Sequence, residues 1–562
     1  MTCFKYSPSK LKFFFFAVAF VIGFINTYFS RYAVDFDGMA NIDIAEELFN
    51  GNPKSVFISY WSPLYPIILG SFFYLFKHSP CWESIFVHFI NFFIFLISFF
   101  SFTFFLNELV KCQKQKQKEK EVLKLGLNTL PEWALITLGY SVFIWTSVSL
   151  ITISRIMSDL SAAAIFYFIS GLLLKIRLGN TNWFLFILLG FAFSCFYLAK
   201  LSFLSLVFLF LFLCFFMGVN LRLMLPRVLL SLIVFLVLIS PFVFLLSREK
   251  GYFTFGDATK LNYIEEVTNE ITICPTSMNY IPQLSNLTHP VKKIYASPAV
   301  YEYSTPFKVT YSPYYDPSFW WHGLKTKFDL MGELRAIKKN LPIYMDLISY
   351  MQIVLVGLFM LFFISSRGIL CLKDIFEEWV LLVSTVVPIL MCSLIHAEFR
   401  YFGAFVPVLI LALLSALKFN NYKAFKKAIL CLVSMVIVFF LSTSIVSLDI
   451  LSNIKNNDAY KDWLVSLELK KIGIKKGDKA AVIPGECDVY WARLAKVNII
   501  AEVSLEDYEM FWGSSSLIKS EILEAFKRVG VKVVLAENPP VKYITQEGWI
   551  NIKDTSFYYY VL

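Results

Sequence analysis

Asp35-Phe36-Asp37-Gly38-Met39-Ala40-Asn41-Ile42-Asp43-Ile44-Ala45, continued by Tyr60-Trp61-Ser62-Pro63-Leu64-Tyr65-Pro66, sets three carboxylates just beyond the first apolar run of this chain. What surrounds it is mostly membrane. Of 562 residues, 57% are hydrophobic and 60 are Phe, and the mean hydropathy is +0.64. A soluble domain does not tolerate such proportions, so the fold class is a mainly α-helical polytopic membrane protein. Apolar runs fall at about 13–29, 84–106, 133–151, 160–176, 182–199, 201–218, 228–247, 346–364, 378–395, 402–417 and 428–448. Each approaches the roughly 20 residues that carry a helix across about 30 Å of hydrocarbon. We read them as eleven spans.

Charge decides how the opening stretch sits. Lys5, Lys10 and Lys12 precede the first run, which lacks a small-residue cleavage site and reads as an uncleaved anchor with its N-terminus in the cytoplasm. If the extra apolar stretch 62–76 crossed, the Lys111–Lys124 loop and every later basic loop would fall outside. If it is interfacial or re-entrant, Lys175/Arg177, Arg222/Arg227, Arg367/Lys373 and Lys418–Lys427 all fall inside. Residues 30–83 are therefore one external loop. Within it Ala40, Ile44, Ala45 and Leu48 recur at helical spacing and predict a short amphipathic helix on the membrane surface. The net charge of +10 is then a topology signal beside the lipid bilayer, with no need for nucleic acid. Ten cysteines show no CxxC and no His/Cys cluster; Cys274 and Cys487 are both expected outside, where they are free to pair. Asn286-Leu287-Thr288 has the form of a glycosylation sequon.

The other ionisable groups of interest fall on the same side. Asp159 ends a short second loop beside Arg155, and Lys200 is a lone cation in an outer turn. His396-Ala-Glu398-Phe-Arg400-Tyr401 precedes the tenth span, where charges are costly if idle, at about 2.5–3.5 kcal/mol each in the hydrocarbon centre. Residues 248–345, rich in Tyr, Pro and Trp and carrying His289-Pro290, predict an ordered external cap on a transmembrane domain of residues 1–450. Residues 451–562 predict a small external α/β domain, with helices at 458–472 and 517–529 and strands at 479–484, 497–503 and 531–536. A transporter needs ionisable groups near mid-membrane and commonly a pseudo-repeat, and the spans show neither. An enzyme facing the outer surface and using a lipid-borne substrate fits better. A polyprenyl-phosphate donor presents its phosphate at the interface, where Lys200 and Arg400 can neutralise it, while a carboxylate such as Asp37 takes the proton of an attacking hydroxyl. No Gly-rich nucleotide loop is present.

In this order the motifs resemble the bacterial GT-C glycosyltransferases, the superfamily of protein O-mannosyltransferases and aminoarabinose transferases. The resemblance runs through Asp37–Ala45, Trp61–Pro66, Asp159, the cap's Gly256–Tyr263, His289-Pro290 and Tyr311–Trp321, Glu398–Tyr401, and the tail's Tyr490–Ala495. It implies an inverting transfer from a polyprenyl-phosphate sugar to a lipid, glycan or protein acceptor, in the bacterial inner membrane with the site facing the periplasm. Asp37 matches the superfamily's catalytic Asp. Asp159 resembles its second-loop acid, which orients the acceptor or a metal, and Lys200 resembles a basic residue near the donor phosphate. Arg400 completes the phosphate clamp. Asp35, Asp43, Trp61, Tyr65, His289, His396, Glu398 and Tyr401 are expected to bind substrate or support the site. The acidic dipeptide common in mannosyltransferases is Asp37-Gly38 here, which leaves a divalent metal, Mg or Mn, open. The competing readings are an undecaprenyl-diphosphate glycan ligase or polymerase, and a non-catalytic lipid or solute transporter.

Overall fold

The computed structural model describes residues 7–562 apart from 77–81, 123–127, 218–219, 272–287, 290, 304–306, 365–370, 486–488, 541–547 and 420–457, of which only four isolated positions are described. Cys274, Cys487 and Asn286-Leu287 lie outside the described residues.

Hydrocarbon offers no partners to backbone N–H and C=O groups, so an apolar run closes its own hydrogen bonds as a helix. The chain proceeds through α1 (Pro8–Ser30), α2 (Phe36–Phe49), α3 (Leu64–Leu75), α4 (Glu83–Val122), strand β1 (Asn128–Thr129), α5 (Glu132–Trp145), α6 (Asp159–Arg177), α7 (Trp183–Ala199), α8 (Leu204–Met217) and α9 (Leu221–Lys250). The cap holds α10 (Ala258–Tyr263), strands β2 (Lys292–Tyr295) and β3 (Val300–Glu302), α11 (Ser312–Tyr315) and α12 (Pro317–Trp320). Next come α13 (Leu330–Tyr350), α14 (Gln352–Ile364), α15 (Cys371–Phe376), α16 (Trp379–Ser393), α17 (Phe399–Phe402), α18 (Phe405–Ser415) and β4 (Lys418–Phe419), which pairs with β1.

Ten of the eleven apolar runs are helical, and the eleventh, 428–448, falls almost wholly outside the described residues. By length and composition α1, α4, α6, α9 and the continuous stretch 132–150 can each cross a membrane; α3, α7, 201–217, α16 and α18 are apolar but shorter. The run 346–364 breaks at Met351, between α13 and α14. Phe-rich faces pack inward as stacked rings, Phe99 on Tyr140 at 5.0 Å and Phe102 on Phe143 at 4.9 Å. Leu229, Ile233, Val237 and Phe244 of α9 point outward, as lipid-facing side chains do.

Helix α3 does not carry the chain across. Ser84 Oγ, at the start of α4, donates to the carbonyl of Arg31, just after α1, at 2.6 Å. Both ends of the loop are therefore on one face, and the 12 residues of α3, about 18 Å long, fall short of the roughly 30 Å hydrocarbon. Instead α3 packs on α2 so closely that a Cβ on Gly70 would lie 3.0 Å from the carbonyl oxygen of Ala45. Helix α2 departs from the expected surface helix: residues 38–45 are all buried, because cap and tail cover the side that was to face water.

The tail forms β5 (Lys479–Ile483), β6 (Asn498–Val503), β7 (Val533–Glu537), β8 (Ile550–Asn551) and β9 (Phe557–Val561), with helices at Asp458–Lys471, Tyr490–Ala495, Tyr508–Gly513 and Ser516–Arg528. Its seven-stranded sheet runs β2-β3-β6-β5-β7-β9-β8, so two strands come from the cap. β5 is parallel to both neighbours, and β3 lies antiparallel to β6 with Tyr301 opposite Glu502. Arg493 ties this domain to the membrane part: Nε is 2.7 Å from Glu83 of α4, one Nη is 2.5 Å from Glu46, and the other meets Asp43 of α2.

Candidate active site

Helix α2 begins at a cap in which Asp35 Oδ1 accepts from the backbone N–H of Gly38 at 2.8 Å, which aims the next carboxylate, Asp37, away from the helix. The glycine after Asp37 follows from packing. A Cβ there would stand 2.7 Å from Asp35 Oδ1 and 2.8 Å from Ile156 Cβ, so α2 lies directly against the second loop. Asn41, one turn on, donates to the carbonyl of Asp37 at 2.8 Å. That second loop starts from a π-helical turn, Thr146–Leu150, and from Thr152 in the left-handed region at φ +59°, a strained conformation for a β-branched residue. It delivers Met157, Ser158 and Asp159.

These segments enclose a cavity of about 260 Å³ lined by Asp37, Asn41, Tyr60, Trp61, Ser62, Asp159, Lys200, Asn262, His396, Arg400 and Tyr401. The rest of its lining is mainly apolar, with Phe203, Leu206, Pro388, Met391, Ile395 and Phe405 beside Ser205 and Cys392, drawn from α8, α16, α18 and adjoining turns. Lys200 follows α7 directly; its Nζ lies 2.5 Å from Asp159 Oδ1 and 4.0 Å from the centre of the Tyr401 ring. Arg400 Nη1 stands between the two carboxylates, 3.6 Å from Asp37 and 3.9 Å from Asp159, and packs on the sulfur of Met157. Ser62 Oγ accepts from the N–H of Leu201 at 3.0 Å and so joins the first loop to the Lys200 turn. Trp61 Nε1 donates to the carbonyl of Tyr314 at 3.1 Å.

Burial pushes the Asp37 carboxyl up to about 6, Asp35 adds to the rise and Arg400 opposes it. Glu398 is driven the other way: burial raises it, but His396 and Arg400 outweigh that and hold it at about 2. His396, facing the carboxylates of Glu266 and Glu398, is pushed up to about 9.

Asp37, Asp159, Lys200, Arg400, Trp61, His396 and Tyr401 thus share one cavity, and Glu398 stands behind it on Arg400. Four other expected site residues do not line the cavity, and one of them, Asp35, is spent on the cap of α2. Asp43 points from the other side of α2 to Arg493 and to Thr310, whose N–H and hydroxyl it accepts at 3.1 and 2.9 Å. Tyr65 is wholly buried and donates to Asn91 at 2.7 Å. The ring of His289 stacks on Phe319 in the cap at 3.9 Å and does not line the cavity. Asn41, Tyr60, Ser62 and Asn262 were missed. All four lay in stretches singled out from the sequence, and Asn41 carried the sharper signal, its place four residues after Asp37 on one helix face.

A divalent ion does not fit this donor set. Among the described residues no three His, Cys, Asp or Glu side chains are grouped to hold a metal. The place between Asp37 and Asp159 already faces a guanidinium, and Asp159 is paired with Lys200.

The whole arrangement, a helical membrane domain whose first loop brings a carboxylate to the cavity together with an α/β tail, has counterparts among solved structures. Two are similar over nearly the whole chain. ArnT from Cupriavidus metallidurans in the apo state aligns with a TM-score of 0.53 at 9% identity, covering 97% of this chain and 96% of its own. The same protein bound to undecaprenyl phosphate gives 0.55 at 9% identity, covering 97% of each. No protein-family model and no curated protein matches the sequence.

Proposed function

We propose that this chain is a membrane glycosyltransferase moving a sugar from a polyprenyl-phosphate donor to an acceptor hydroxyl. The observation that carries the reading is the composition of the cavity. One part of the lining offers two cations beside two carboxylates, and another is mainly apolar, as suits an amphiphile with an anionic head. ArnT, with the same fold, binds undecaprenyl phosphate.

In this reading the acceptor oxygen attacks the anomeric carbon from the face opposite the phosphate. The C–O bond to sugar forms as the C–O bond to phosphate breaks, with inversion. Asp37 takes the hydroxyl proton as general base; its raised pKa brings it closer to neutrality, where a base works best. Lys200 and Arg400 receive the negative charge that gathers on the departing phosphate. Asp159, at 2.5 Å from Lys200, fixes the ammonium over the Tyr401 ring. Tyr60, Trp61 and Asn262 offer a stacking face and hydrogen bonds to the sugar or acceptor.

The test is transfer by the purified chain in lipid, with a panel of polyprenyl-phosphate and polyprenyl-diphosphate sugars. Turnover of monophosphate donors that Asp37→Asn abolishes supports the reading. Turnover of diphosphate donors alone moves the chain to the ligase class, and undiminished transfer by Asp37→Asn removes the role given to Asp37.

A further inference from the structure

We propose that Glu266, His396 and Glu398 form a chain of positioning residues through which the seated cap sets the guanidinium of Arg400, coupling cap docking to capture of a lipid phosphate. The inference rests on the donor reading above.

His396 lies in the turn between α16 and α17. Its Nδ1 is 3.1 Å from Glu266 Oε1, in the cap's π-helical turn Ile264–Thr268, and its Nε2 is 3.1 Å from Glu398 Oε1. Only Nε2 closes a hydrogen bond, to Glu398; Nδ1 lies at ion-pair distance from Glu266 without bonding geometry, and a carboxylate beside each nitrogen favours the imidazolium. Glu398 passes the link on: its Oε2 is 2.6 Å from Arg400 Nε and its Oε1 2.8 Å from Arg400 Nη2. Nη1 of Arg400 meets the sulfur of Met157, a weak acceptor, and faces the cavity at 3.6 and 3.9 Å from Asp37 and Asp159, too far for direct hydrogen bonds to either carboxylate and within reach of an added anion.

The other charges facing this chain come from neighbouring elements. Lys339 of α13 is 2.5 Å from Glu266, Arg155 of the second loop is 3.9 Å from Glu398, and the Tyr401 ring stands 6.1 Å from His396. Holding the cap in place does not need the chain. The same π-turn is already packed on α13, where a Cβ on Gly332 would come within 2.5 Å of the carbonyl of Val267. What the ionic chain adds is direction at its far end: Arg400 is held by a hydrogen bond from Nη2 and an ion pair at Nε, both to a carboxylate that the cap itself helps to hold.

Coupling of this kind is reciprocal. The experiment measures undecaprenyl phosphate binding to the full chain in nanodiscs, together with amide exchange of residues 258–268 with and without lipid. In the unmodified protein, lipid slows exchange in that segment, and affinity falls as pH rises past about 9, where His396 gives up its proton. Glu266→Gln and His396→Gln each weaken binding about five- to tenfold, a typical coupling. Both lose the lipid-induced protection, and His396→Gln also loses the alkaline fall. The double variant is no weaker than the weaker single one, because both act through one link. Lys339→Gln removes a charge from the same cluster without breaking the link and keeps both affinity and protection.

Wild-type affinity and protection in Glu266→Gln and His396→Gln overturn the coupling and leave the donor reading standing. So does a Lys339→Gln variant that loses as much as Glu266→Gln. An unmodified chain that does not bind undecaprenyl phosphate overturns both.

Discussion

Helix α2 carries buried charge on two opposite sides, and the two sides are finished differently. Toward the tail, Asp43 and Glu46 meet Arg493, whose three nitrogens are all engaged and whose side chain is 3% exposed. Toward the cavity, Asp37 is 30% exposed and faces an Arg400 that stops 3.6 Å short of it. The residue types are the same, and what differs is unspent bonding capacity. A fully saturated cluster holds two parts together and can do little else. A cluster whose members stand near one another without closing has room for a phosphate or a hydroxyl between them.

The widest break in this contrast is expected at Asp37. Asp37→Asn keeps the shape and removes the base, so transfer from a lipid-linked donor drops by about 10²–10⁴-fold, measured as initial rate in proteoliposomes. Its stability behaves in the opposite sense. A carboxyl whose folded pKa is raised from 3.8 to about 6 favours the fold when protonated, and that contribution is lost as pH rises through about 6. At pH 8 the Asn variant therefore melts no lower than the parent.

Arg493→Met inverts the pattern. It leaves Asp43 to Thr310 and Glu46 and Glu83 to Lys496, and costs about 3–5 kcal/mol, read as a lowered melting temperature and faster proteolysis between tail and membrane part. A smaller effect comes from pH alone: transfer falls about tenfold per unit below pH 6 as Asp37 takes up its proton, and this acid limb is missing from the residual rate of Asp37→Asn. The smallest is Lys54→Gln, which removes an exposed pair with Glu249 (side chains 69% and 40% exposed) and shifts stability by under about 0.5 kcal/mol in a denaturant titration.

The sequence made the helical runs legible, since apolar length leaves the backbone no other solution. The gathering of Asp37, Asp159, Lys200 and Arg400 was legible through sidedness, because basic loops on one face force the remaining charges onto the other. Two of the tail's helices and three of its strands were readable from periodicity, with boundaries shifted by a residue or two, while the short helices Tyr490–Ala495 and Tyr508–Gly513, strands β8 and β9 and the two cap strands were not. Asp43 was not separable from Asp37: its partner Arg493 stands 450 residues away, and no local pattern announces it. Tyr65 has the amphipathic character of an interfacial residue, yet its hydroxyl is spent on Asn91 inside the core. Gly38 looked like a lost acidic dipeptide. In three dimensions it is the contact that lets the second loop bring Asp159 alongside Asp37.

The cap hairpin β2–β3 at the border of the tail sheet has a consequence for how the chain is made. β3 emerges from the ribosome about 200 residues before its partner β6, and α13 to α18, among them the apolar α16 and α18, are made in between. Until then β3 is half a sheet waiting for its other half, and a tail synthesised alone would present β6 as a bare edge ready to pair with another copy. Assembly of the seven-stranded sheet is thus a late, long-range event, slow by the measure of loop closure. An isolated tail should aggregate unless residues 292–303 are supplied with it.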